Sequence, residues 1–476
     1  MRLSAATAAV LAAALTPLAL PAPAAHAAGA ATPYDFNGDG RVDLAVGAPG
    51  ATVAGQAKAG AVSVVYGGST GLKTSTRALL TQNTAGIPGT AEAGDAFGAA
   101  VASADLNRDG YADLLVGAPG EDTDGDTNDG TVVIVWGSAS GLSGARTLVN
   151  YWHTDVDRYG QALAAGDLDD DGDTDVAVGS TGPVNLSFIN GPITKSGAFG
   201  GGSGAFFTSS YSDAYGITSL ALGTVPATGR TTLVVHGRRT GTDDAITHLI
   251  ADPSISNYTD WMTDLPGGYV SAIGDIDHDG YADIAVGNNR ETSADPAGAK
   301  GGKVTVVYGG PDGRDTSRAP LVVTQDTTGV PGTAETGDAF GSSVFLGDLD
   351  GDGYADLAVG ASGEDSGAGA VTVLYGSASG LRTSGGKTFT QNTAGVPGTA
   401  EKGDRFGARV LIADHSGDHR PELTVGGPGE NSGDGTVWSL RGTATGPTTT
   451  GALSFGPSAT GVSTAGAPAY GSVLNG

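Results

Sequence analysis

Five stretches of the chain place acidic or amide side chains at positions 1, 3, 5 and 9 of a short loop, with glycine at position 6. The clearest copy has Asp348, Asp350, Asp352 and Asp356, followed by an apolar run. Oxygen ligands at this spacing can converge on one hard cation, because the glycine permits a sharp turn. Calcium takes six to eight such oxygens, and the backbone carbonyl of position 7 can supply another. The pattern therefore predicts calcium loops.

The predicted metal ligands are the side chains at positions 1, 3, 5 and 9 and the carbonyl of position 7. In the clean copies these are Asp35, Asn37, Asp39, Arg41 and Asp43; Asp105, Asn107, Asp109, Tyr111 and Asp113; Asp167, Asp169, Asp171, Asp173 and Asp175; Asp275, Asp277, Asp279, Tyr281 and Asp283; and Asp348, Asp350, Asp352, Tyr354 and Asp356. A degraded sixth copy has Asp414, Ser416, Asp418, Arg420 and Glu422. His419 replaces its glycine, so we expect this loop to be the weakest site.

Other metal sites fit the pattern less well. The chain has no cysteine and the clean loops have no histidine at a ligand position, which disfavours zinc and copper. Magnesium requires a stricter octahedron. An EF-hand requires glutamate at position 12 between two helices, whereas that position is valine here, as at Val359, within a β-like run. The remaining alternative is that Asp, Asn and Gly only form turns. Five copies with one ligand spacing favour the metal.

The loops mark the unit of a repeat. A seventh frame, without carboxylates, begins at Thr224, and successive loop starts lie 51 to 73 residues apart. This period is typical of a four-stranded blade and is too long for the common helical solenoids. Each loop is followed by a short strand ending in Gly-Ala-Pro or a variant, a strand rich in β-branched residues, and a Gly-Ser turn. An aromatic-Gly pair precedes most loops: Phe97-Gly98, Tyr159-Gly160, Tyr215-Gly216, Phe340-Gly341 and Phe406-Gly407.

Phe-Gly, an Asp-rich loop and Gly-Ala-Pro together resemble the FG-GAP repeat of the integrin α-subunit propeller, and the resemblance covers residues 34–476. It implies an all-β, seven-bladed β-propeller of four-stranded blades. It also implies that the calcium loops join the first and second strands of each blade, and that ligands approach the opposite face. The loop at Asp35 lacks a preceding aromatic-Gly strand, whereas Tyr470-Gly471 lacks a following loop. We therefore predict that the N- and C-terminal strands pair to close the ring.

The N-terminus predicts export. Residues 1–27 read as a signal peptide, with Arg2, an apolar stretch over 5–20 and a small-x-small site at Ala25-His26-Ala27, and residues 28–476 form the propeller. A membrane anchor is disfavoured because two prolines interrupt the short apolar stretch. The net charge of −27 should repel nucleic acid and anionic membranes, so we predict no nucleic-acid partner and no membrane insertion. We also predict a monomer.

A third repeat connects some blades, over Thr81–Gly98, Thr324–Gly341 and Thr390–Gly407. It is either a ligand-contact loop or a connector whose Glu and Asp cap turns. Other blades have aromatic residues in the corresponding loops, which suit carbohydrate or protein recognition if exposed and loop packing if not. These residues are Tyr151, Trp152, His153, Tyr211, Tyr258 and Trp261.

No catalytic constellation stands out in the sequence. His153, His236 and His248 stand apart along the chain. We predict a secreted calcium-binding propeller that acts as an adhesion or recognition module for a protein or carbohydrate ligand, with structural calcium. The alternative is an extracellular polysaccharide-active hydrolase or lyase on a propeller scaffold.

Overall fold

The structure is a computed structural model that describes residues 31–123, 125–152, 156–205, 211–242, 244–250, 262–291, 298–311 and 313–476. Within these residues the strands form seven antiparallel sheets of four strands each, and the three helical segments are single turns. The prediction of an all-β, seven-bladed propeller is confirmed. The signal peptide predicted for residues 1–27 lies outside the described residues.

The strands follow one another blade by blade. They are β1 Leu44–Ala48, β2 Ala61–Val65 and β3 Arg77–Leu80 in blade 1; β4 Ala100–Ala104, β5 Asp113–Ala118, β6 Thr131–Val135 and β7 Ala145–Thr147 in blade 2; β8 Asp157–Gly166, β9 Asp175–Thr181, β10 Leu186–Asn190 and β11 Gly201–Ala205 in blade 3; β12 Ile217–Thr224, β13 Thr231–Arg238, β14 Ala245–Ile250 and β15 Met262–Asp264 in blade 4; β16 Val270–Gly274, β17 Asp283–Asn288, β18 Lys303–Val307 and β19 Leu321–Val323 in blade 5; β20 Phe340–Gly347, β21 Asp356–Ala361, β22 Ala370–Leu374 and β23 Lys387–Phe389 in blade 6; and β24 Arg409–Ala413, β25 Glu422–Gly427, β26 Thr436–Arg441 and β27 Thr448–Phe455 in blade 7. The helical turns are α1 Glu364–Gly367, α2 Glu430–Gly433 and α3 Pro457–Thr460. The last strand, β28 Val473–Asn475, returns to blade 1.

The two ends of the propeller pair to close the ring. Strand β28 is antiparallel to β1, with Val473 opposite Gly47, so blade 1 is built from both ends of the chain. The buried hydroxyl of Tyr470 lies 2.7 Å from the Ser63 hydroxyl of β2. The closure predicted from the sequence is therefore present, and it leaves no open end that would need a capping repeat.

The core lies between neighbouring blades. The middle strands are rich in Val, Leu and Ile and are buried on both faces, because each blade is covered by a neighbour on either side. The first strands of the blades surround a central cavity of ≈ 480 Å³. Arg409 is the charged residue in its lining, and one of its guanidinium nitrogens donates to the Ala408 carbonyl.

The glycines of the two repeat motifs meet across the blade boundaries. A Cβ atom on Gly47, which ends a strand of blade 1, would lie 2.2 Å from the carbonyl oxygen of Gly98 in blade 2. Real Cβ atoms do not approach an oxygen so closely, so Gly47 cannot carry a side chain there. Its partner Gly98 has a φ angle of +89°, which also favours glycine. The same contact recurs between Gly117 and Gly160, Gly287 and Gly341, Gly360 and Gly407, and Gly426 and Gly471.

The aromatic residue of the pair packs against the preceding blade. Phe97, Tyr159, Phe340, Phe406 and Tyr470 are all buried, and each bridges to a glycine in the preceding blade. Tyr215, of the pair Tyr215-Gly216, departs from this packing. Its side chain is 41% exposed, and the buried aromatic side chain at this junction is Tyr211, which bridges to Arg239.

Candidate functional site

The six acidic loops lie at one end of the propeller. Five connect the first strand of a blade to the second, whereas the Asp35 loop precedes β1, the second strand of blade 1, whose first strand is β28. Three of the loops, those of Asp35, Asp275 and Asp414, also join neighbouring blades, because the carbonyl of position 1 accepts a hydrogen bond from the next blade. Ala112 N–H donates to Asp35 at 3.2 Å, and Ala355 N–H donates to Asp275 at 2.9 Å. An ion that organises a loop would therefore also stabilise a blade boundary.

Positions 1 and 5 organise the backbone of every loop in the same way. In the clearest copy, Asp348 accepts hydrogen bonds from the N–H groups of Gly351, Asp352 and Gly353 at 2.7–3.1 Å. The position-5 carboxylate, Asp352, accepts from the Tyr354 N–H at 3.1 Å. Equivalent bonds to positions 1 and 5 occur in the other loops. Turn formation therefore explains these two positions without an ion.

Position 9 joins the loop to the rest of its blade. Asp356 accepts the N–H groups of Leu349 within the loop and Gly376 in the turn after β22, both at 2.9 Å. Burial raises the pKa of this carboxyl to about 7. Burial likewise raises the pKa of Asp43, Asp113, Asp283 and Glu422 to about 7 and that of Asp175 to about 6. A cation nearby would favour the charged forms.

At position 3, three of the loops keep a carboxylate oxygen that turn formation does not use. Asp169, Asp277 and Asp350 each have a buried Oδ1 atom that accepts no hydrogen bond. The other oxygen of Asp277 pairs with Arg318 at 2.6 Å, and that of Asp169 accepts a hydrogen bond from Asn190 at 2.6 Å. Each lies in a cluster of three carboxylates whose ligand oxygens are within 4.8 Å of one another: Asp167, Asp169 and Asp175; Asp275, Asp277 and Asp279; and Asp348, Asp350 and Asp356. A buried, unpartnered carboxylate oxygen is costly beside other carboxylates unless a cation joins them.

The other three loops bring fewer carboxylates together. Position 3 is Asn37, Asn107 or Ser416, and within the described residues these loops form no cluster of three acidic groups. Asn107 is turned so that its Nδ2 donates to Asp113 at 3.0 Å, and Lys195 forms a 2.7 Å ion pair with Asp109. An amide rotation would direct the Asn107 oxygen inward instead.

The sharp turn at position 6 has the backbone expected from the sequence. Its φ angle is positive in all six loops, from 79–90° at the five glycines to 62° at His419. Histidine adopts this conformation at a cost that glycine avoids, which agrees with the prediction that the Asp414 loop is the least favourable. Taken together, the donors of the Asp167, Asp275 and Asp348 loops fit calcium, since they are oxygens only and include an unsatisfied one.

The connectors lie at the opposite end, where their acidic residues cap turns. Asp95 accepts the N–H of Glu92, and Asp338 and Asp404 do the same for Glu335 and Glu401 at 2.6 Å. This agrees with the connector interpretation. The sequence did not reveal a second bond, in which a connector glutamine reaches a glutamate of the following blade: Gln82 to Glu121, Gln325 to Glu364, and Gln391 to Glu430. The only sequence signal is a shared separation of 39 residues.

A polar cavity of ≈ 540 Å³ opens on this face between the connectors and the loop after β21. Its lining includes Glu335, Asp338, Asp365, Ser366 and Arg405. Several charged groups around one concave surface suit a polar ligand more than an apolar one. We call this surface the connector groove.

The aromatic loops divide into different environments. Tyr151 is 46% exposed and packs edge-on against Phe199, whereas Trp152 is half-buried. Tyr211 is fully buried, which agrees with the packing alternative for this residue and not with the recognition alternative. Its ring fills the blade boundary and its hydroxyl lies 2.6 Å from His248 Nδ1. His153, Tyr258 and Trp261 lie outside the described residues.

The two described histidines of the sequence search are structural. His236 is buried, lies within 3.2 Å of Ser271, Thr247 and the Gly268 carbonyl, and has a pKa lowered to about 4 by burial. His248 lies between Tyr211 and Asp264, and burial lowers its pKa. The Tyr211 hydroxyl is enclosed by protein, so this trio does not present a nucleophile to solvent.

Comparison with known proteins agrees with this geometry. The FG-GAP repeat model matches residues 27–65, 97–135, 267–307 and 340–374. Phosphatidylinositol-glycan-specific phospholipase D of Rattus norvegicus is 36% identical over 147 residues, covering 31% of this chain and 17% of the relative. Integrin alpha-5 of Xenopus laevis is 28% identical over 273 residues, covering 56% and 20%, and integrin alpha-4 of the same species is 40% identical over 94 residues, covering 18% and 8%.

The chain thus spans at most a fifth of the length of these relatives. Among the described residues, no helix has the length and apolar character that crossing a membrane requires. The FG-GAP matches, the closed ring of seven blades and the acidic loops that recur along the chain lead to one conclusion. The protein is a seven-bladed propeller of FG-GAP repeats that is homologous to integrin α chains.

Proposed function

We propose that the protein is a secreted recognition module whose ring is stabilised by calcium in its acidic loops and whose opposite face binds a protein or glycan. The unpartnered Oδ1 atoms of Asp169, Asp277 and Asp350 carry the calcium assignment, because turn formation gives them no donor. The homology to integrin α chains supports the recognition role.

Calcium would act structurally in this scheme. The acidic loops lie at the end of the ring opposite the connector groove, and the backbone carbonyls of Asp35, Asp275 and Asp414 accept hydrogen bonds across blade boundaries. Removal of the ion would therefore loosen the boundaries rather than remove a ligand contact. The chain has no cysteine, so no disulfide can perform this task in an oxidising compartment.

The phospholipase D named among the relatives does not extend the proposal to catalysis. The match covers only 17% of that protein, so the activity of the complete phospholipase is not a basis for proposing catalysis by this chain. Binding is the function that the repeats themselves support.

A binding screen with a face-specific control tests the proposal. Calcium-loaded protein is applied to glycan and matrix-protein arrays, and bound ligands are measured again with two charge-reversal variants. R405E alters the connector groove, whereas K73E alters an exposed residue on the calcium-loop face. We expect R405E to weaken binding at least tenfold and K73E to leave it unchanged. An absence of binding to both arrays, or equal effects of the two variants, would contradict the recognition role.

Export is tested separately. Mass spectrometry of protein collected from the culture medium of an expressing host should show a mature chain beginning at Ala28. Protein retained in the cell with an intact N-terminus would contradict this part of the proposal.

A further inference from the structure

A second group of carboxylates lies on the face opposite the calcium loops. Asp126 and Asp129 belong to the loop between β5 and β6 of blade 2, and Asp157 begins β8 of blade 3. Their ligand oxygens lie within 4.8 Å of one another. Neither Asp126 nor Asp129 belongs to the repeated nine-residue loop pattern, and the three residues come from two blades.

The fold holds these carboxylates together. The Arg158 N–H donates to the Asn128 carbonyl at 2.7 Å, and the Tyr159 N–H donates to the Asp129 carbonyl at 2.8 Å. These bonds bring the start of β8 alongside the loop of blade 2. Backbone hydrogen bonds between blades 2 and 3 therefore hold Asp157 close to Asp129.

Asp129 offers the cluster an oxygen that the protein does not satisfy. Its side chain is 3% exposed, and Oδ2 accepts a hydrogen bond from the Thr123 hydroxyl. Its Oδ1 is buried and has no hydrogen-bond partner. None of the ion pairs between described residues involves Asp126, Asp129 or Asp157. A buried, unpaired oxygen beside two like charges is unfavourable unless a cation is present.

The other blade boundaries show that two acidic residues at this place are not required by the fold. The positions equivalent to Asp129 and Asp157 precede the bridged glycine and aromatic residue. They are Ala59 and Asp95, Gly301 and Asp338, Ala368 and Asp404, and Asp434 and Pro468. At these two positions each boundary has a single acidic residue, and three of those four, in the connectors, accept a backbone N–H.

We propose that Asp126, Asp129 and Asp157 form an additional divalent-cation site that joins blades 2 and 3 on the connector face. The donors are carboxylate oxygens, which suit calcium. Asp126 and Asp157 are exposed, so part of the coordination shell is open to solvent. An oxygen of a bound carboxylate or sugar could occupy it. The site stands independently of the recognition function, because the cluster and the buried Oδ1 carry it.

Calcium titration of the full-length protein tests the site. Calorimetry and equilibrium dialysis give the number of ions bound by the wild type, D157N, the double variant D126N/D157N, and D434N. D434N is the matched control, since Asp434 occupies the position of Asp129 at a boundary where Pro468 stands at the position of Asp157. We expect D126N/D157N to bind one ion fewer per chain, D157N to lower the affinity of one site at least tenfold, and D434N to match the wild type.

Asp126 and Asp157 are exposed, so we expect these variants to fold normally, and circular dichroism checks this. Unchanged stoichiometry and affinity in D126N/D157N would overturn the proposal. A D350N variant reports on the opposite face in the same titration. Loss of an ion in one variant and not in the other separates the failure of this site from the failure of the calcium loops.

Discussion

Replacing Asp350 by asparagine should stabilise the metal-free protein and weaken its response to calcium. Asparagine already occupies this position in the loops of Asn37 and Asn107, so the loop backbone tolerates it. Asp350 is the ligand to which the fold gives no donor at Oδ1, and burial raises its pKa. Without an ion, its charge repels Asp348 and Asp356.

The magnitude follows from the separation of the carboxylates. Unit charges within 4.8 Å interact by about 1–3 kcal/mol at the effective dielectric constant of a half-exposed site. Salt screening weakens the repulsion of Asp350 by Asp348 and by Asp356. D350N should therefore raise the free energy of unfolding of the metal-free protein by about 1–2 kcal/mol. In calcium, loss of a charged ligand should weaken the site by about tenfold, or roughly 1.4 kcal/mol.

Urea unfolding in chelator and in calcium measures both effects. We expect the D350N midpoint to exceed that of the wild type in chelator, and its increase on adding calcium to be smaller. D348N is the control, because Asp348 accepts three backbone N–H groups and its loss should be destabilising in both conditions. If D350N lowers the midpoint equally with and without calcium, Asp350 has a structural role and the reasoning fails.

Three further predictions concern ring closure, the degraded loop and a buried glutamate. Y470F removes the hydrogen bond to Ser63 and should lower the free energy of unfolding, measured by urea unfolding, by about 1 kcal/mol. The same measurement on S63A and on the double variant gives the coupling energy between the two hydroxyls. H419G should relieve the positive φ and stabilise the protein by about 0.5–1 kcal/mol, and a calcium titration should show a tighter Asp414 loop; weaker binding would count against it as a metal loop. Burial raises the pKa of Glu121 to about 7, so its stabilising contribution is present below its unfolded pKa and is lost as the pH rises through about 7. The free energy of unfolding of E121Q, measured by urea unfolding, should therefore exceed that of the wild type by roughly 1 kcal/mol at pH 8, after allowing for solvent screening. This difference should shrink towards pH 5, and a pH-independent difference would contradict the prediction.

Much of the fold could be predicted because each repeat unit is a continuous segment of the sequence. The acidic loop, the β-branched strand and the turn each depend on residues close together in sequence, so their spacing gave the blade and the number of blades. The split between the Asp35 loop and the Tyr470-Gly471 strand was enough to predict closure. The Tyr215-Gly216 pair keeps the sequence pattern, but the pattern does not show which aromatic side chain is buried at that boundary, and the structure buries Tyr211.

The candidate site was predicted less completely. Sequence spacing identified the ligand positions, but it could not separate the carboxylates that fold as turn caps from those left without a donor. That distinction depends on which N–H groups each oxygen meets, as at Asp348 and Asp350. Likewise, Asp129 and Asp157 are far apart in sequence and follow no motif, so only the pairing of blades brings them together.

The sequence by itself determined the blade repeat, the closed ring and the six acidic loops, because period, turn residues and apolar alternation are local properties. Tertiary structure alone decided what happens between blades. It placed Gly47 against Gly98, buried Tyr211 in place of Tyr215, and left the Oδ1 atoms of Asp129 and Asp350 without protein donors. The physical reason is that close approach, burial and hydrogen-bond satisfaction depend on neighbours from other blades or other turns, which spacing along one chain does not specify.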